Sequence, residues 1–140
     1  MTKKNSRLFI ILVVLVIIAW LITDILDQKG KNDLKGGFTE VASYRNENNT
    51  GPVQRIFSVS VKDTADAELE HYGNLMPHNK YGNTKVYFFK EGNAVPTALF
   101  PGAVNFDAEY RENCFAVYEK SAMGNVGLVI NPFKQKQRSQ

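Results

Sequence analysis

Polar and apolar positions are spread very unevenly along these 140 residues. Residues 8–22, LFIILVVLVIIAWLI, contain no polar side chain, so a helix built from them is apolar on every side. Helices in soluble cores rarely need that, because one face normally meets water. Crossing a hydrocarbon layer of ~30 Å takes ~20 residues at 1.5 Å rise. The run reaches that length when extended through Thr23 to Leu26. The pattern therefore predicts a transmembrane helix over 8–26, with Leu8 and Leu26 at its ends and Trp20 as a belt residue near the interface where Asp24 would lie.

Beyond the span the periodicity changes. Residues 27–37 (DQKGKNDLKGG) are polar, glycine-bearing and aperiodic, and predict a flexible tether. Residues 38–44 suggest a first strand, closed by the turn-rich NENNTGP. Residues 53–61 (VQRIFSVSV) alternate, with Val53, Arg55, Phe57, Val59 and Val61 on one face. Asp63 or Thr64 is then placed to cap a helix whose stripe is Ala65, Leu69, Tyr72 and Met76; Gly73 weakens it and Pro77 ends it. Residues 84–89 (TKVYFF) are apolar on both faces and predict a central strand. A long loop over 91–105 leads to a short helix opening at Asn105 or Asp107. Residues 114–120 and 126–131 then read as a hairpin around Met123-Gly124-Asn125. The expected fold class is α+β: a single transmembrane helix, then a two-layer domain over 38–133 with a mostly antiparallel sheet and two helices on one face. Residues 1–7 form a short basic tail, and 134–140 (KQKQRSQ) a disordered basic one.

Charge changes the picture only when it is divided by region. The chain carries 17 Lys plus Arg against 14 Asp plus Glu and has a pI near 9.0. Residues 36–133, however, hold eight basic and eleven acidic residues, a net −3. The basic pI comes from the two ends, which argues against a nucleic-acid-binding domain. The lone Cys, Cys114, excludes an internal disulfide.

The basic start MTKKNSR suits either a cleaved signal peptide or a retained anchor. Trp20, Leu21 and Ile22 stand where a signal peptidase requires small residues, and no Cys follows the run for lipidation, so an uncleaved signal anchor is expected. The short N-terminal tail favours an N-in orientation, with the domain in the periplasm or outside the cell, although Lys29, Lys31 and Lys35 after the span make the positive-inside bias slight. Asn48-Asn49-Thr50 is a formal glycosylation sequon, better read as a chance product of an Asn-rich loop.

Candidate chemistry is sparse. His71 and His78 are the only histidines. Spaced by seven and separated by Pro77, they do not make a metal pair, and no CxxC, HxxxH or HExxH spacing is present; neither metal nor cofactor is expected. Cys114 with a histidine could form a nucleophile and base. It is more simply a small buried hydrophobe, in phase with Ala116 and Tyr118. The carboxylates of residues 66–70 and 107–112 read as solvated helix faces. Tyr81-Gly82-Asn83-Thr84-Lys85 lacks the second glycine and the Gly-Lys-Ser/Thr order of a phosphate loop, and reads as the turn into the third strand. The long loop offers Leu99, Phe100 and Pro101 either as cover for the sheet or as an exposed lip for a partner.

These readings favour a non-catalytic, membrane-anchored accessory or assembly subunit. It contacts lipid through 8–26, and its extracytoplasmic domain binds another envelope protein. Two alternatives remain at this level: a membrane-tethered enzyme or small-ligand binder with its site near His71, His78 and Tyr81, with Cys114 a further suspect, and a soluble secreted protein after signal cleavage.

Overall fold

The computed structural model describes residues 2–27, 30, 33–47 and 51–134, with backbone only for 24–27. The sequon at 48–50, the tail from residue 135 onward and the Leu26 side chain lie outside the described residues. The chain forms two compact units, divided between Gly30 and Lys31.

The first unit is the helix α1, Lys3–Asp27. Its Lys3–Thr23 stretch of 21 residues is long and apolar enough to span a membrane, since 21 residues rise about 31 Å. The same properties fit a signal sequence. Leu8 and Trp20 are both exposed along it.

The second unit is a five-stranded sheet with strands in sequence order: β1 (Phe38–Arg45), β2 (Gln54–Val61), β3 (Asn83–Lys90), β4 (Cys114–Lys120) and β5 (Val126–Ile130). The α+β class is as expected, but the sheet is mixed. β2 and β3 run parallel, while the other three pairings are antiparallel. Parallel neighbours need a crossover, and residues 62–82, with the helix α2 (Leu69–Asn74), supply it.

Helix α2 is shorter than the stripe from Ala65 implied. Leu69, Tyr72 and Met76 are buried, but Ala65 is exposed. The segment before the helix is held in turns instead. The Gly36 carbonyl accepts from the amides of Lys62 and Asp63, both at 2.9 Å, and Asp63 Oδ1 accepts from the Ala65 amide at 3.1 Å. Part of the expected tether is likewise bound to the domain. Leu34 is buried, the Lys35 amide donates to Glu68 Oε2 at 2.8 Å, and the Glu68 amide donates to the Lys35 carbonyl at 2.9 Å.

Two cores flank the sheet. One packs Phe57, Val59, Val61, Val86, Phe88, Ala116 and Tyr118 under Leu69, Tyr72 and Met76 of the crossover. The other gathers Ile56, Tyr87, Phe89, Phe106 and Cys114 under Val95, Leu99, Val104, Tyr110 and Phe133. The expected second helix is a 3₁₀ turn, Ala108–Asn113, and its Tyr110 packs on this second core. The helical segments thus cover opposite faces, not one. β3 is buried on both sides, as its unbroken apolar run implied.

A bulge corrects the phase of Cys114. The β3–β4 register runs Phe88↔Ala116 and then Phe89↔Cys114, leaving Phe115 as the extra residue. An inserted residue moves the side chain before it to the other face. Cys114 therefore joins the second core, whereas Ala116 and Tyr118 belong to the first.

Candidate functional site

The end of the sheet where β2 and β3 begin collects polar side chains on one face. Register places Arg45 opposite Arg55, Arg55 opposite Thr84, and Thr84 opposite Lys120. Side chains directly opposite share a face, so the row reads Arg45, Arg55, Thr84, Lys120 across four strands. The segment entering β3 packs into this row. Arg55 Nε donates to Asn79 Oδ1 at 3.0 Å. The Thr84 hydroxyl donates to the Pro77 carbonyl at 3.0 Å, and His78 Nδ1 lies 2.9 Å from Thr84 Oγ1. With its one proton committed to Pro77, Thr84 can only accept from His78, which fixes the imidazole as the Nδ1–H tautomer when neutral. Burial, and then the Lys120 charge, hold the His78 pKa below its usual value.

The turn ahead of this row is tightly drawn. The Gly82 amide donates to the Asn79 carbonyl at 2.8 Å and the Asn83 amide to the Val53 carbonyl at 2.9 Å. A Cβ at Gly82 would sit 2.6 Å from the Val53 oxygen, so only glycine fits. Tyr81 takes the left-handed conformation, φ 63°, and is 65% exposed, with Lys80 Nζ 5.2 Å from its ring centroid.

The residues suspected of enzyme chemistry do not converge. His78 and Tyr81 belong to this polar end, and His71 is exposed on α2. Cys114 is buried in the core on the opposite face, with Sγ 3.3 Å from the Ala116 carbonyl. Burial pushes its pKa up to about 12, far from the thiolate a nucleophile requires. Among the described residues no group of three or more His, Cys, Asp or Glu side chains is placed to hold a metal ion.

The loop between β3 and the 3₁₀ turn is pinned from inside by Asn105, a residue that sequence reasoning treated only as a helix start. Its Oδ1 accepts from the Tyr87 hydroxyl at 2.6 Å, and its Nδ2 donates to the carbonyls of Phe100 and Gly102 at 3.0 and 3.2 Å. The Phe100 amide returns a bond to the Asn105 carbonyl at 3.0 Å. Leu99 packs on the second core, Phe100 is 39% exposed and Pro101 is exposed. Pro101 also rims a broad, open hollow of about 650 Å³ whose other walls include Tyr44, Arg45 and Gln54.

The two sheet edges differ sharply. β1 carries Glu40 and Arg45 and is interrupted by a register shift between Glu40 and Ala42. Charges and bulges of this kind discourage pairing with another chain. β5, Val-Gly-Leu-Val-Ile, has no charge, no bulge in its pairing with β4 and no proline. Leu128 packs on the first core, while Val129 and Ile130 are 53% and 56% exposed. Sequence reading identified the strand but not its place at an open edge, which depends on strand order.

No family model, curated protein or solved structure matches this chain.

Proposed function

We propose that this chain is a non-catalytic, single-pass accessory subunit that displays its α+β domain on the outer side of a membrane and binds another envelope protein by strand addition at β5. The observation that carries the reading is the undefended edge: an uncharged, regular, apolar strand with no neighbour on one side among the described residues. Such an edge presents unpaired N–H and C=O groups, and soluble proteins normally blunt it. A guest strand would satisfy those groups while covering the apolar side chains. The fitting occupant is an extended, uncharged segment with apolar residues at alternate positions. Charged side chains on the guest would be set against Val129 and Ile130 and lose hydration without a partner.

The anchor supports the same reading. Lys3, Lys4 and Arg7 precede an unbroken apolar helix, and the bulky Trp20-Leu21-Ile22 opposes signal cleavage. Lys3, Lys4 and Arg7 before the span favour an N-in orientation. The separation of Cys114 from His71 and His78 supports a binding role over thiol catalysis.

The test is a photo-crosslinking amino acid placed at Val129, or at Thr39 on β1 as a control, in the full chain in its native membrane. The expected result is one discrete adduct from position 129, mapped to an extended apolar segment of another protein, with little from position 39. An adduct at twice the chain mass would make the partner a second copy. No adduct, or equal adducts from both edges, would overturn strand addition. Intact mass on the same sample decides the anchor: a start downstream of Thr23 would make the chain a secreted protein.

A further inference from the structure

We propose that Arg55, His78 and Lys120 form a binding site for a phosphate group on the α2 face of the sheet, independent of β5. The cations on this face form an arrangement the fold does not require. Arg45 and Arg55 are directly opposite across antiparallel strands, a pairing in which like charges repel. Lys120 adds a third cation in the same row, two strands beyond Arg55. None of the three is ion-paired among the described residues. Glu119 belongs to the other face, where its Oε1 accepts from Asn83 Nδ2 at 2.8 Å. In a domain whose residues 36–133 are net −3, this row is a local concentration of positive charge, with Glu47 beside Arg45 at its β1 end and Glu70 near Tyr118 on the same face.

The donors are also oriented. Asn79 takes the Nε–H of Arg55, which fixes the guanidinium and leaves its two Nη groups as a fork. Thr84 takes the Nδ1–H of His78, so Nε2 is the position at which the imidazole gains a proton. Strands lie about 4.8 Å apart, so the Arg55 and Lys120 backbones are about 10 Å apart across Thr84. Long side chains rising from either side can meet over that threonine, next to His78. A fork, an imidazolium and an ammonium approaching from three directions match the oxygens of a tetrahedral dianion; a planar carboxylate would occupy the fork alone. Binding would also reverse the field of Lys120 that now disfavours a charged His78. The phosphate could come from solution or from the headgroup of an anionic lipid.

The test uses the full chain in neutral detergent micelles, titrated with inorganic phosphate at constant ionic strength and followed by the imidazole and amide resonances. The expected result is a saturable shift of His78 with none at His71. Arg55→Gln and Lys120→Gln should each weaken binding about twofold to fivefold, the range of one partly exposed charge contact. Lys85→Gln, at the same end on the opposite face, should change it little. Arg55→Lys keeps the charge and removes the fork; it should also weaken binding, and it serves if Arg55→Gln misfolds. No saturable shift, or an equal loss with Lys85→Gln, would overturn the site. Nanodiscs with and without phosphatidic acid separate the sources. A His78 shift on phosphatidic acid without added phosphate assigns the headgroup, and a shift only on added phosphate assigns a soluble ligand.

Discussion

Gly73→Ala is the substitution whose sign separates local propensity from packing. In a bare helix, alanine is about 1 kcal/mol better than glycine. Here the position faces the ring of Tyr118: a Cβ at 73 would sit 2.3–2.5 Å from Tyr118 Cγ, Cδ2 and Cδ1. Ordinary carbon contacts are about 3.5–4.0 Å, so helix and ring would have to separate by more than an ångström. Tyr118 cannot swing away cheaply, because it is fully buried and its hydroxyl donates to Asn74 Oδ1 at 2.7 Å on the same helix. Overpacking of this kind costs about 1–3 kcal/mol or more. Since the clash involves three ring atoms, we expect the upper end of that range, and a net loss of about 2 kcal/mol after the propensity gain. For a domain of this size that is a fall in Tm of about 8–16 °C. The assay is thermal and urea unfolding of the full chain in neutral micelles, followed by near-UV circular dichroism of the tyrosines. Fluorescence of Trp20 would report α1 instead, because it is the chain's one tryptophan. In a Tyr118→Leu background the same substitution should cost at least 1 kcal/mol less, by a double-mutant cycle. Unchanged or increased stability of Gly73→Ala alone would refute the close approach of helix and strand.

Asn105→Ala removes the partner of the buried Tyr87 hydroxyl and two loop bonds, and should cost about 2–3 kcal/mol; limited proteolysis should then cut near 97–103, and an uncut loop would contradict the pinning role. Burial raises Tyr72 and Tyr87 from 10.0 to about 12 and Cys114 from 9.0 to about 12. The folded state thus holds these protons more tightly than the unfolded chain, so their stabilisation is complete below about pH 9 and is lost as pH rises towards about 12. Tm measured against pH should fall across that window, and the part of the tyrosinate absorbance that Tyr72→Phe and Tyr87→Phe remove should appear together with unfolding, unlike that of the exposed Tyr81; if that part precedes unfolding, the burial is contradicted. Val129→Lys, at an exposed edge position, should change stability by less than about 0.5 kcal/mol while abolishing strand addition, read as loss of the photo-adduct from a crosslinker moved to Ile130.

Elements with strong periodicity are legible in the sequence itself. β2 and β3 show as an alternating strand and a doubly apolar one, and Leu69, Tyr72 and Met76 as a buried stripe, because burial on a regular element leaves a repeat in the sequence. The parallel pairing of β2 and β3 leaves no such trace: it depends on how far the crossover carries the chain, and a short helix among turns gives weak periodicity. The phase of Cys114 failed at a single inserted residue, Phe115, which breaks the period-two rule that placed it. Gly73 reads as a defect in a helix and has a reason only once Tyr118 is known to lie against it. The cation row was invisible for a related cause. Arg45, Arg55 and Lys120 are distant in sequence and align only through register, and a regional charge sum averages them away.

The measurement that bears most directly on β5 as the docking edge is amide hydrogen exchange of the full chain in native membranes, compared with the purified chain in micelles. In the purified chain, amides of Val126–Ile130 that face away from β4 should exchange quickly. In native membranes a guest strand should slow them at least about tenfold, a change of about 1.4 kcal/mol in opening, while β1 stays unchanged. Equal exchange of β5 in the two settings would contradict the account.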